Sequence, residues 1–155
     1  MPNPHWTKEE LEQVATMDSY EDMLALAMQI LPRIPEPVVQ VCGPISTGGM
    51  GSVADNFRIF DMAIELLIAG RENVFDQRPF EHAVQNIKRK GVETGYLMGL
   101  LDDFFLPIFE TGYIAKFYFL PGWETSKGAS WEYEQAKRLG IASVMPHDWM
   151  EAQGL

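Results

Sequence analysis

The chain has 155 residues, 46% of them hydrophobic, and a formal net charge of -10 (22 acidic against 12 basic side chains), which fits one domain with a sizeable core and excludes a disordered chain. A single cysteine excludes a disulfide scaffold and an all-cysteine zinc site. The acidic balance argues against a duplex-DNA binder but leaves room for a small anion held by a few local donors.

No apolar run reaches the ~18 residues of a membrane span. The opening MPNPHWTKEE lacks a signal-peptide pattern, so a soluble, cytoplasmic protein without a membrane or nucleic-acid partner is expected. Residues 1–37 hold seven acids, two bases and five of the ten prolines, which is half of the net charge. Two pairs, Thr7 with Glu10 and Asp18 with Glu21, are spaced as capping boxes. After the second, Met23, Leu24, Ala27, Met28, Ile30 and Leu31 recur at helical spacing until Pro32, Pro35 and Pro37 end the helix. Residues 1–37 therefore read as an acidic helical extension of a domain spanning 38–155.

From residue 38 strands and helices alternate. Val38–Ile45 reads as a buried strand running into a glycine-rich turn, Ser46–Ser52. Residues 53–69 place Phe57, Phe60, Ala63, Ile64 and Leu67 on one helical face, and Gly70 ends the helix. A short strand is expected at Asn73–Asp76. Residues 84–101 and 103–111 read as helical, with a basic cluster at Lys88, Arg89 and Lys90 and a break near Gly91–Gly95. Lys116–Leu120 is a strand, Ser130–Leu139 a helix and Ile141–Met145 a last strand. This alternation predicts an α/β fold with a parallel sheet and helices on both faces, whose ligands bind beyond the carboxyl ends of the strands.

Two loops leave such strand ends. The first, Cys42–Ser52, carries Gly43, Gly48, Gly49 and Gly51 with the hydroxyls of Ser46, Thr47 and Ser52, a composition suited to cradling a phosphate or carboxylate. It has neither the lysine of a Walker loop nor the dinucleotide fingerprint, and its plainer reading is a flexible connection. The second, Leu120–Glu132, has Gly128 and Ala129 where the chain turns into a helix. Glu132 lies about one turn inside, on the face of Ala136. A carboxylate held there can attack a sugar carbon, although most helical glutamates are solvated. Asp102 and Asp103 are candidates for a general acid or a simple helix-start charge pair. Trp123 would stack on a base or cover the sheet edge. Cys42 reads as a small core residue, and His5, His82 and His147 lack metal-ligand spacing, so no metal and no cofactor is expected.

Leu120–Ala136, LPGWETSKGASWEYEQA, resembles the signature of the nucleoside 2-deoxyribosyltransferase-like superfamily, closest to a small branch with a GWexSxGAxxE core. The segment VCGPISTGG resembles that superfamily's opening strand and turn, and is similar to the opening turn of the deoxynucleoside 5′-monophosphate N-glycosidases. The resemblance covers residues 38–146. It implies a doubly wound, flavodoxin-like (Rossmann-like) sheet, a homodimer or higher homo-oligomer, and chemistry at the N-glycosidic bond. It also implies that Glu132 is the nucleophile, that Asp103 or Asp102 is the acid, and that Trp123 stacks on the base. Phosphate contacts are implied at Gly43, Ser46, Thr47, Gly48, Gly49, Ser126, Gly128 and Ala129. The nucleoside transferases carry an aspartate six residues before the nucleophile and the 5′-monophosphate N-glycosidases a serine; Ser126 stands there in this chain. A hydroxyl accepts a phosphate dianion that an aspartate repels, so a nucleotide is the expected substrate. Relatives often carry an aspartate ahead of the preceding strand, whereas Gly112–Lys116 contains no acid. The expected function is cleavage or base exchange of a (deoxy)nucleoside 5′-monophosphate, the alternative a nucleotide-binding module that does not turn its ligand over.

Overall fold

A computed structural model describes residues 4–46, 48–93 and 95–150. In chain order its elements are α1 (Lys8–Val14), α2 (Tyr20–Ile30), β1 (Val38–Cys42), α3 (Val53–Ala69), β2 (Asn73–Val74), α4 (Glu81–Lys90), α5 (Leu106–Glu110), β3 (Ile114–Phe119), α6 (Lys127–Leu139), β4 (Ala142–Val144) and α7 (Pro146–Trp149). They form two compact units, Met1–Pro35 with Phe75–Tyr113, and Glu36–Val74 with Ile114–Leu155.

The second unit holds the sheet. Its four strands are parallel in the order β2-β1-β3-β4. This gives the expected α/β fold of flavodoxin-like or Rossmann-like type. β1 is buried at every position, as a central parallel strand covered on both faces must be. Its side chains alternate. Val39 and Val41 join Phe60, Ala63, Ile64 and Leu67 of α3, with Tyr118, Leu120 and Trp149, in one apolar cluster. Each such side chain contributes about 1.5–3 kcal/mol by leaving water. Gln40 points to the other face, where α6 packs: its carboxamide meets Glu132, and Tyr133 lies edge-on to Phe119 at 5.7 Å. Trp149 closes the α3 face, its indole N–H donating to the Phe119 carbonyl at 3.1 Å.

The first unit is helical. The N-terminal segment expected as an extension does not stand by itself, because it shares a core with residues 75–113. Trp6 packs on Phe80 at 5.1 Å and Phe80 on Phe104 at 4.8 Å. The Trp6 indole donates to the Asp76 carbonyl, and Asn86 donates to the carbonyls of Ala15 and Met17.

Several boundaries differ from expectation for local reasons. The Thr7–Glu10 capping box is formed, but α2 is capped by Ser19, which accepts from the Asp22 N–H, and not by Asp18. β1 stops at Cys42, before Gly43 and Pro44. β2 stops at Val74, and the Asp76 carboxylate instead binds the backbone and guanidinium of Arg78. α4 begins at Glu81 and ends at Lys90, because Gly91 adopts a left-handed φ of 67°. The basic cluster lies in its last turn, where it complements the helix dipole. Residues 100–105 form a π-helical turn leading into α5. Pro107, without an N–H, cannot close the ordinary bond to the Asp103 carbonyl. α6 begins at Lys127, one turn's worth earlier than expected, because Ser126 caps it.

In the helical unit Glu10 is 2% exposed. Its carboxylate accepts from Arg33 (2.5 and 2.9 Å), Gln29 and the Thr7 N–H. The Arg33 hydrogen bond holds its carboxyl below the usual glutamate range. Arg33→Met should therefore cost about 1–3 kcal/mol in urea unfolding, and Glu10→Gln combined with it should cost less than Arg33→Met alone. A single variant as mild as a surface substitution would contradict this account.

Candidate functional site

The strand order reverses between β1 and β3, so the crevice beyond their carboxyl ends is the position where sheets of this kind take ligands. The two loops singled out in the sequence leave these two strands, and they are tied together: the Gly49 N–H donates to Thr125 Oγ1 at 2.8 Å, and that hydroxyl donates to the Gly122 carbonyl at 2.6 Å. Gly48 and Gly49 have φ of 69° and 67°, and a Cβ on Gly48 would run into the Thr125 carbonyl.

Asn56, in the first turn of α3 and nearly fully buried, holds the glycine-rich loop from below. Its Nδ2 donates to the carbonyls of Ile45 (2.9 Å) and Gly48 (3.2 Å), and its Oδ1 accepts from the Met50 N–H (2.9 Å). The Gly51 N–H returns to the Gly48 carbonyl. The N–H groups of Gly49, Met50 and Gly51 are thus used within the fold, and of these Gly49 is one of the expected phosphate contacts. The start of α3 is likewise provided for, since Ser52 caps it and donates to Asp55, whose carboxylate also pairs with Arg58. Above this loop is a polar cavity of about 360 Å³ lined by Ser46, Gly48, Gly49, Ser52, Asn56 and Thr125. A second cavity of about 270 Å³ is apolar, lined by Pro44, Met50, Ile59, Met62, Leu120 and Met150. Ser46 is exposed, Gly43 packs against Leu120 with no room for a Cβ, and Thr47 lies outside the described residues.

In the second loop, Ser126 is buried and its Oγ accepts from the Ala129 N–H at 3.1 Å. It is therefore the N-cap of α6, with its hydroxyl proton left to donate. Gly128 is half-buried, and Ala129 is buried with its N–H committed to that cap. Trp123 packs on Phe119 at 5.1 Å and Tyr133 at 4.9 Å, the covering role weighed for it in the sequence.

Glu132 is 8% exposed, on the α6 face of the sheet. The Cys42 thiol donates to its carboxyl, whose Oε2 also accepts from Gln40 Nε2 at 3.1 Å. Burial pushes the carboxyl up to about 8, with both donors working in the opposite direction. The Cys42 thiol is itself pushed well up, by burial first and then by Glu132. Glu132 is therefore a mostly neutral acid at pH 7, unlike a solvated helical glutamate. Asp102 and Asp103 are exposed on the π-helical turn and belong to the helical unit. Among the described residues no group of three or more His, Cys, Asp or Glu could hold a metal ion.

Gln40 was not singled out by sequence reasoning. The available signal was a lone amide in VVQVC, since a polar side chain in a strand buried on both faces must find a partner. No family model, no curated protein and no solved structure matches the chain. No described helix is long and apolar enough to cross a membrane.

The raised Glu132 carboxyl has a sign-defined effect on stability. An unfolded glutamate releases its proton near 4.5 and the folded one near 8, so between these values the folded state binds more protons. The contribution is fully present below about 4.5 and is lost as pH rises through about 8. Relative to Glu132→Gln, the wild type should lose roughly 3–5 kcal/mol across that window, read from urea unfolding of both proteins at a series of pH values. A constant difference would refute the buried neutral acid.

Proposed function

We propose that the chain acts at the N-glycosidic bond of a (deoxy)nucleoside 5′-monophosphate, with Glu132 as the nucleophile. The observation that carries this reading is the carboxyl itself: buried, without a charged partner acting on it, and held by two neutral donors at the reversal of strand order. The ionised carboxylate attacks the anomeric carbon. The C–N bond breaks, and the base leaves with the electron pair and takes a proton from solvent water. A glycosyl ester remains on Glu132. Water then displaces the carboxylate, giving the free sugar phosphate, or a second base does so, giving an exchanged nucleotide. The phosphate would be held by the Ser126 hydroxyl and the Gly128 N–H, at the positive end of the α6 dipole. Ser46 and the polar cavity beside Gly48 and Gly49 are the alternative position. A homo-oligomer belongs to the same proposal.

Since Glu132 must be ionised to attack, base release should rise with pH toward a plateau above about 8. It should be abolished by Glu132→Gln. Chromatography of the common ribo- and deoxynucleoside monophosphates after incubation checks both, and absence of free base from all of them removes the enzymatic reading. The second reading, a nucleotide-binding module, is favoured by one observation: a carboxyl that is neutral at rest is a hydrogen-bonding group before it is a nucleophile. Calorimetric binding with the nucleotide recovered unchanged selects it.

A further inference from the structure

Gln40 sits in the middle of β1 with no exposed surface, between valines that pack on the α3 face. Its Nε2 is committed to Glu132, while its Oε1 has no hydrogen-bond partner among the described residues. Burying an amide oxygen unpartnered costs about 1–3 kcal/mol. Leucine or methionine would fill comparable space without that cost, so packing alone does not account for an amide here.

We propose that Gln40 is the positioning residue of Glu132 and that its carboxamide serves the carboxyl in both protonation states by turning end for end. The inference rests on the proposed nucleophile for its catalytic meaning, but not for its test. An ionised carboxylate offers acceptors alone and takes the Nε2–H, the arrangement seen here. A neutral carboxyl carries an O–H and needs an acceptor, which the turned amide supplies with Oε1. The end left over, Oε1 in one state and NH₂ in the other, falls in the same place, so the orphan atom belongs to the two-state arrangement. The groups that face the carboxyl suit this. From β1 come Gln40 and Cys42, both uncharged at neutral pH. β3 presents Phe117 and Phe119 on this face, and no charged side chain contributes to the Glu132 proton affinity. Among the described residues, the amide and the thiol are what fixes the carboxyl as its proton comes and goes. In the reaction the carboxylate is held toward the sugar without a permanent positive charge that would oppose the developing cationic centre.

The test follows the Glu132 carboxyl in the full chain by its infrared carbonyl band, as the difference between each protein and its Glu132→Gln counterpart, across pH. Gln40→Met, close in size and without a donor, should raise the midpoint, because of the two bonds lost the charge-assisted one to the carboxylate is the stronger; a rise of about one unit is a tenfold smaller ionised fraction at pH 7. Cys42→Ala should raise it as well, and Cys42→Ser, which keeps a donor, should leave it at or below the wild-type value. A folded Gln40→Met with an unchanged midpoint overturns the proposal. If that variant does not fold, the wild type decides. The side-chain amide signals of Gln40 in ¹⁵N-labelled protein should move with the Glu132 midpoint, and signals constant through it overturn the turning amide. If base release occurs, its rising limb should shift to higher pH in Gln40→Met, with kcat at pH 7 falling more than KM changes. Absence of base release would remove the enzymatic reading and leave the titration result standing. Base release with an unmoved titration would remove this proposal alone.

Discussion

A parallel strand covered on both faces offers its side chains no water, and the sheet unit is built around such a strand. Every position of β1 is buried, and Phe117 to Leu120 continue that condition at the end of β3. On the α3 face the consequence is ordinary packing of valines against Phe60, Ile64 and Leu67. On the α6 face the strand carries Gln40 and Cys42, so whatever α6 presents must answer an amide and a thiol. It presents Glu132. One constraint, the absence of solvent at the central strand, therefore both closes the core and brings a carboxyl into an apolar surround.

The glycine-rich loop is governed by a similar accounting. A loop that turns through three left-handed glycines leaves N–H groups exposed unless side chains meet them. Asn56 and Thr125 meet them, one from α3 and one from the loop after β3. The loop thereby becomes a fixed wall between a polar and an apolar cavity. Gly48 and Gly49 are needed for close approach to Thr125, Pro44 and Asn56, which is a structural use of residues that the composition had suggested for a phosphate.

The legible part of this protein lies where the signal is local. The helix of residues 53–69 with its terminal Gly70, the Thr7–Glu10 box and the alternation of strands and helices all depend on neighbours within a few residues. The grouping of the first 35 residues with residues 75–113 was not legible, because it depends on Trp6 reaching Phe80 and Asn86 reaching Ala15 and Met17. The start of α6 was missed because its cap, Ser126, lacks the glutamate or glutamine of a capping box: Ala129 stands at that position. In the candidate site, Glu132 could be found from its motif, whereas Gln40 has meaning only once the carboxyl opposite it is known. Asp102 and Asp103 fit a general acid and a solvated pair equally well in sequence, and their exposure on the π-helical turn, four to five residues before Pro107, is seen only in the fold.

The state of Glu132 follows from unequal magnitudes. Removing a carboxylate from water costs several kcal/mol even after the surroundings relax. A neutral donor returns about 1.5–3 kcal/mol to a charged acceptor, and the Cys42 thiol and the Gln40 amide both act in this way. Two such donors reduce the cost without cancelling it, so the proton stays on until pH approaches 8. A lysine or arginine in place of Gln40 would have reversed that balance and fixed the carboxylate permanently, but it would also have placed a positive charge beside any cationic centre forming at a sugar carbon. An amide and a thiol leave the carboxyl neutral at rest. In the proposed reaction, a sugar carbon developing positive charge next to Glu132 would favour its ionised form, and the stabilisation would be largest at that moment and absent before it, which is the condition for lowering a barrier instead of tightening a ground state.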